Sequence, residues 1–201
     1  DGGHIYFDYN ANGNQTSVTP PARTAHGFGY TAVNRPAWYE PPTAGAGSWA
    51  THFVYDLDHR LLQTERSDGK TTQFTYDGVG RLGEVIDALG TMSFTYDHPA
   101  NRLATASGPN GQLVTFTYDG PFVLTQTFGG PVAGTIEYTY NNDLRLASES
   151  VNGAYSVALV YDSDGLITGA GALSASYSAL NGLLESTSLG AIGDARGYND
   201  F

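Results

Sequence analysis

The chain has 201 residues with 26 Gly, 14 Tyr and 9 Phe but a single Lys and a single Met, a composition suited to strands and turns. A formal charge of −11, spread over only 14% charged residues, excludes a surface built to neutralise nucleic-acid phosphates or anionic lipid headgroups. With no Cys there is neither a disulfide framework nor a thiolate metal site, and no apolar run approaches the roughly eighteen residues of a membrane-spanning helix.

From its start at Asp1-Gly2-Gly3 the chain reaches a strand-like Ile5-Tyr6-Phe7 at once, with no signal region, so it is expected to be processed or to be a piece of something longer. Tyr9 and Tyr30 then stand 21 residues apart, and a Tyr followed by a turn recurs at Tyr55, Tyr76, Tyr96, Tyr118, Tyr140, Tyr161, Tyr177 and Tyr198, in steps of 21, 20, 22, 22, 21, 16 and 21. The clearest copy is Thr72-Gln73-Phe74-Thr75-Tyr76, where apolar and polar side chains alternate as in a half-buried strand. Met92 to Tyr96, Val114 to Tyr118, Ile136 to Tyr140 and Val157 to Tyr161 alternate in the same way.

After each Tyr, a segment rich in Asp, Asn and Gly predicts a turn, and a run such as Leu82 to Asp87 predicts the returning strand. Asp68-Gly69, Leu89-Gly90, Asn110-Gly111 and Asn152-Gly153 then turn the chain into the next aromatic strand. Each unit therefore reads as one β-hairpin of about twenty-one residues. An isolated hairpin is marginal in water, so the units must stack.

The expected organisation is a single array over 1–201 with two departures. An irregular Pro- and Gly-rich insert is expected at about 20–47, where Pro20, Pro21, Pro36, Pro41 and Pro42 accompany Gly27, Gly29, Gly45 and Gly47. A shortened repeat is expected at about 162–177, where the step falls to 16. No segment predicts an amphipathic helix, because Asn181-Gly182 breaks the one candidate run.

The motif Tyr76-Asp77-Gly78-Val79-Gly80-Arg81-Leu82 resembles the Tyr-Asp (YD) repeat of the Rhs family, shared with the shell-forming subunits of bacterial Tc toxins and with animal teneurins. Tyr55-Asp56 with Arg60-Leu61, Tyr96-Asp97 with Arg102-Leu103, Tyr118-Asp119, Tyr140-Asn141 with Arg145-Leu146, and Tyr161-Asp162 are looser copies. The resemblance implies a continuous antiparallel sheet that spirals into a hollow shell, in many members enclosing a toxic carboxy-terminal domain. The paired Asp-Pro-x-Gly elements of self-cleaving family shells have no match here.

Other chemistry is sparse. The five His residues are scattered, with no ligand spacing, and no Ser sits in a nucleophile elbow. Asp8, Asn10 and Asn12, followed by Gly13, reproduce the first half of a calcium loop, but Thr19 stands where its bidentate Glu is required. The repeat's own Asx-rich turn accounts for the same residues.

The reading is thus an all-β YD-repeat scaffold, secreted or at a cell surface, with no enzymatic activity and no cofactor. Its expected partners are flanking repeats of a longer chain or further copies of itself, joined head to tail as a filament in the second case, with enclosed toxin as cargo. The rival is a cell-surface module that binds glycan or protein through its loops, with Trp38, Tyr39 and Trp49 as contacts.

Overall fold

The computed structural model describes residues 3–42, 47 and 49–199, among which there are nineteen strands and no helix. Backbone contacts divide the chain into two compact units, residues 1–95 with 107–109, and residues 96–106 with 110–201.

In the first unit the strands are β1 (Tyr6–Tyr9), β2 (Gln15–Thr19), β3 (His26–Tyr30), β4 (Pro36–Glu40), β5 (Thr51–Tyr55), β6 (Leu61–Arg66), β7 (Thr71–Tyr76), β8 (Leu82–Asp87) and β9 (Gly90–Tyr96). Each pairs antiparallel with the next in chain order. In the second unit they are β10 (Leu103–Ser107), β11 (Leu113–Asp119), β12 (Phe122–Gly129), β13 (Gly134–Tyr140), β14 (Leu146–Val151), β15 (Ala154–Tyr161), β16 (Ile167–Ala170), β17 (Leu173–Tyr177), β18 (Leu184–Leu189) and β19 (Ile192–Ala195). From β11 to β19 the same succession of antiparallel pairs holds. The fold is an all-β array of tandem hairpins.

One irregularity recurs with the repeat. In the β7–β8 hairpin Thr75 pairs with Glu84 but Tyr76 pairs with Leu82, so Gly83 is an extra residue on the returning strand. The same bulge leaves Leu62 extra in β5–β6, Ala147 in β13–β14 and Thr168 in β15–β16. A bulge bends the strand and re-aims its side chains. Here it brings Leu82 and Val85, three residues apart, opposite Tyr76 and Phe74, which lie on one face of β7.

The Pro- and Gly-rich stretch differs from the irregular insert expected of it, because it contains the regular hairpin β3–β4. Pro36 opens β4, a position where a missing N–H does not interrupt a ladder. Gly27 and Gly29 are there because the Trp38 indole lies across β3; a Cβ on Gly27 would come within 2.9 Å of the ring. Between Tyr161 and Tyr177 the array is shortened through β16, a four-residue strand that turns at Gly171.

Among the described residues nothing covers either face with a second layer of strands or helices within a unit. Ala50 is the one buried apolar residue among those described. The aromatic positions of the strands, such as Phe53, Phe74, Phe116 and Tyr138, are half-buried, while alternate residues such as His52, Gln73, Thr117 and Glu137 are exposed.

The inter-hairpin latch as candidate functional site

Because the described residues enclose no core, the cohesion of the array has to come from contacts between one hairpin and the next: the backbone ladders that join them, and side-chain contacts built on the Tyr-Asp and Arg-Leu pairs. Asp77 leaves β7 and caps the turn that follows: its Oδ1 accepts the backbone amides of Val79 at 3.0 Å and Arg81 at 2.9 Å. Its Oδ2 accepts the Nε–H of Arg81 at 2.7 Å. The backbone closes the loop with Asp77 N–H to the Arg81 carbonyl, and Gly80 takes the left-handed conformation at φ 88°.

Asp56 repeats this geometry on Arg60, at 2.8 Å to the amide and 2.7 Å to Nε. Asp97 does so on Arg102, with one additional residue in the loop, at 2.7 Å to the amide and 2.9 Å to Nε. Asn141 and Asp162 cap only backbone amides, those of Asp143 and Arg145 and those of Asp164 and Leu166.

The guanidinium, held by the carboxylate in the cases of Arg60 and Arg102, is laid over the Tyr ring of the following hairpin. Arg60 lies 4.9 Å from the Tyr76 ring centre, Arg102 lies 4.3 Å from that of Tyr118, and Arg145 lies 5.5 Å from that of Tyr161. The hydroxyl of the same Tyr donates to the carbonyl of the residue just after the Arg: Tyr76 to Leu61 at 2.9 Å, Tyr118 to Leu103 at 2.7 Å and Tyr161 to Leu146 at 2.9 Å. Each motif therefore acts on both neighbours: the Tyr hydroxyl looks back to the previous hairpin, the Asp caps its own turn and, where an Arg follows, holds it, and the Arg and the Leu carbonyl serve the next Tyr.

The latch tolerates exchange of its parts. Phe122 occupies the Arg position before Tyr140, its ring 4.7 Å from the Tyr140 ring, and Tyr140 donates to the Val123 carbonyl at 3.0 Å. Asp119 ends β11 beside a tight turn, pairs with Phe122 and has no Arg four residues on. Tyr30, Tyr177 and Tyr198 donate in the same way to the carbonyls of Gln15, Ile167 and Leu184.

The electrostatics follow. The Asp56 and Asp77 carboxyls are held below the usual carboxylate range, first by the backbone amides of Arg60 and Arg81 and then by the guanidinium groups. The Asp56 carboxylate in turn raises Arg60.

Of the residues singled out for metal, Asn10 turns its Oδ1 to the amides of Asn12 and Asn14, both at 3.0 Å, and Asp8 accepts the Ser17 hydroxyl. Asn12 and Asn14 donate their side-chain amides to Asn34 of the next hairpin. Among the described residues no group of three or more His, Cys, Asp or Glu is placed to hold a metal ion.

Side chains repeated in register and spent on one another define a structural repeat protein made of tandem β-hairpins. The family model described as Teneurin YD-shell matches residues 1–201, and the chain belongs to that family. No curated protein matches it.

Solved structures show the same fold at low identity. The crystal structure of TcdB2-TccC3-TEV is 14% identical, with a TM-score of 0.72, over 91% of this chain and 11% of that one. A Photorhabdus luminescens Tc holotoxin pore is 13% identical, with a TM-score of 0.71, over 92% and 12%. TcdB2-TccC3 without its hypervariable carboxy-terminal region is 13% identical, with a TM-score of 0.70, over 98% and 12%. The chain thus spans about an eighth or less of those chains.

Proposed function

We propose that this chain is a stretch of the wall of a secreted shell, and that its work is to enclose cargo by excluding other macromolecules. The observation that carries this is the latch: it lets hairpins add one after another in a single layer, with no enclosed core to limit how far the layer extends. Each contact uses only the hairpin before and the hairpin after, so the proposed partners are further repeats of the same kind and the cargo they surround. The family to which the chain belongs, and the Tc toxin structures that share its fold, support the reading. No helix among the described residues is long and apolar enough to cross a membrane.

The loop-binding alternative loses one of its contacts, since Trp38 is spent on Gly27 and Gly29 and Trp49 is left as the exposed tryptophan. The test is electron cryomicroscopy and limited proteolysis of the full-length protein that carries this segment. The expected result is a continuous β wall around a closed volume, with a segment inside that resists protease until the wall is opened. An open array in which all non-repeat segments are digested at the same rate overturns the proposal.

A further inference from the structure

At one step of the first unit the latch is undone. The turn between β3 and β4 begins at Thr31, where the repeats of Tyr55, Tyr76 and Tyr96 have Asp, and it ends at Arg35, where they also have Arg. Thr31 keeps the backbone cap, its Oγ1 accepting the Arg35 amide at 3.1 Å, and Asn34 takes the left-handed position at φ 60°. What Thr31 cannot supply is a carboxylate. Among the described residues Arg35 has no acidic partner and lies over no ring, and the Tyr55 hydroxyl of the next hairpin has no acceptor, unlike those of Tyr30 and Tyr76. Asp56 does not turn to Arg35, because both of its oxygens are engaged by Arg60.

Between the two turns lies a groove of about 430 Å³. Thr31, Val33 and Arg35 line one side, and Phe53, Val54, Tyr55, Asp56, Leu57 and His59 the other, with the Asp56 carboxylate held by Arg60. Val33 and Leu57 are exposed there, at 57% and 99%. Arg35, an exposed cation with no acidic partner among the described residues, and Tyr55 thus border a groove whose apolar lining is Val33, Phe53, Val54 and Leu57. In a chain of net charge −11, an uncommitted guanidinium beside an uncovered apolar patch is a local reversal of the surface.

We propose that this groove is a binding site for a carboxylate carried on an apolar or aromatic body, as at the carboxy terminus or an acidic side chain of a peptide. The carboxylate takes the place on Arg35 that Asp77 takes on Arg81, and accepts the Tyr55 hydroxyl as a second bond. The apolar body covers Val33, Phe53 and Leu57. Nothing in this depends on whether the array encloses cargo.

The probe is 3-phenylpropionate, titrated into the protein while the Arg35 Nε–H and Tyr55 ring signals are followed by NMR. Saturable shifts of both, with a dissociation constant on the order of 1 mM, are expected for a ligand of this size. The neutral 3-phenylpropanamide binds at least about tenfold more weakly, as does the acid when Arg35→Gln is introduced.

The deciding variant is Thr31→Asp, which restores the repeat's own ion pair. It abolishes binding while the protein melts no lower than the parent, so loss of the site is separated from loss of the fold. Equal binding of acid and amide, or undiminished binding to Thr31→Asp, overturns the proposal. So does binding of N-acetylneuraminate, a polar sugar carboxylate, in the absence of binding of 3-phenylpropionate.

Discussion

Tyr76 does two things at once: it receives the Arg60 guanidinium on its face and ties its hydroxyl to the previous hairpin. Tyr76→Phe removes only the bond to the Leu61 carbonyl and is expected to cost about 1 kcal/mol, whereas Tyr76→Ala removes both contacts and the half-buried ring and costs on the order of 2 kcal/mol or more. Thermal melts of the pair, with Phe falling midway, check the division. Leu144 is a residue at odds with its place: it adopts φ 62° at the turn position that Gly80 and Gly165 fill, and it is 64% exposed. Leu144→Gly is expected to raise stability by about 1 kcal/mol by relieving the left-handed strain, while Gly80→Leu lowers it, having in addition the Arg60 guanidinium to displace. The carboxylates set the pH response. Asp56 and Asp77 have folded-state pKa values depressed below those of the unfolded chain, so the folded state holds fewer protons in that range. Their contribution is complete above the ordinary carboxylate pKa of about 4 and is lost as pH falls through the lower folded values. Melting temperatures measured from pH 6 down to pH 2 should hold steady and then drop below about pH 4, with a shallower drop for Asp77→Asn.

At the scale of the hairpin, the legible part was the outgoing strand. β7, β9, β11 and β13 run in clean alternation to their Tyr, and the alternation alone places the aromatic face. The returning strand was legible in extent, β8 running from Leu82 to Asp87 as the sequence predicts, but not in its facing, and the bulge is the reason: with Gly83 extra, the residues opposite Tyr76 and Phe74 are Leu82 and Val85, three apart rather than two. The β3–β4 hairpin was hidden by its own glycines, which look like loop residues until Trp38 is seen lying across them. The latch was half visible. An Asp and an Arg four residues apart around a Gly announce a capped turn, and Arg-Leu reads as one polar and one apolar contact to the next hairpin. That the Leu contributes its backbone carbonyl, rather than its side chain, to the next Tyr could not be read from residue types, because every residue has a carbonyl. A deletion series tests whether the hairpin, not the residue, is the unit of construction. Removing residues 141–161 joins Tyr140 to Asp162, two equivalent positions, and is expected to leave a folded array with unchanged β content per residue by circular dichroism. Removing Thr139 alone puts Tyr140 on the wrong face of β13 and is expected to destabilise far more than the loss of the whole repeat.

At the scale of the whole molecule the governing quantity is surface. The chain exposes 13617 Å², where a compact protein of 21.3 kDa exposes about 9,100 Å². Among the described residues neither unit encloses a common core, so this exposure is offset locally, hairpin by hairpin. Stability built from nearest-neighbour contacts does not enforce one cooperative transition, since a segment can open while segments several repeats away keep all their partners. Two consequences are measurable in one urea titration. Less surface is gained on unfolding than for a compact chain of equal length, so the slope of free energy against denaturant should be lower, at about four-fifths of the compact value by the same area relations. And the transition should depend on the probe. Trp38 and Trp49 both lie in the first unit, so tryptophan fluorescence reports that unit alone, whereas far-ultraviolet circular dichroism reports all nineteen strands. The two midpoints are expected to differ, with the fluorescence curve the steeper because it averages over fewer hairpins. Superimposable curves fitted by a single two-state transition would show that the hairpins are bound together by something beyond their neighbours, and would overturn the view of the array as a chain of local latches.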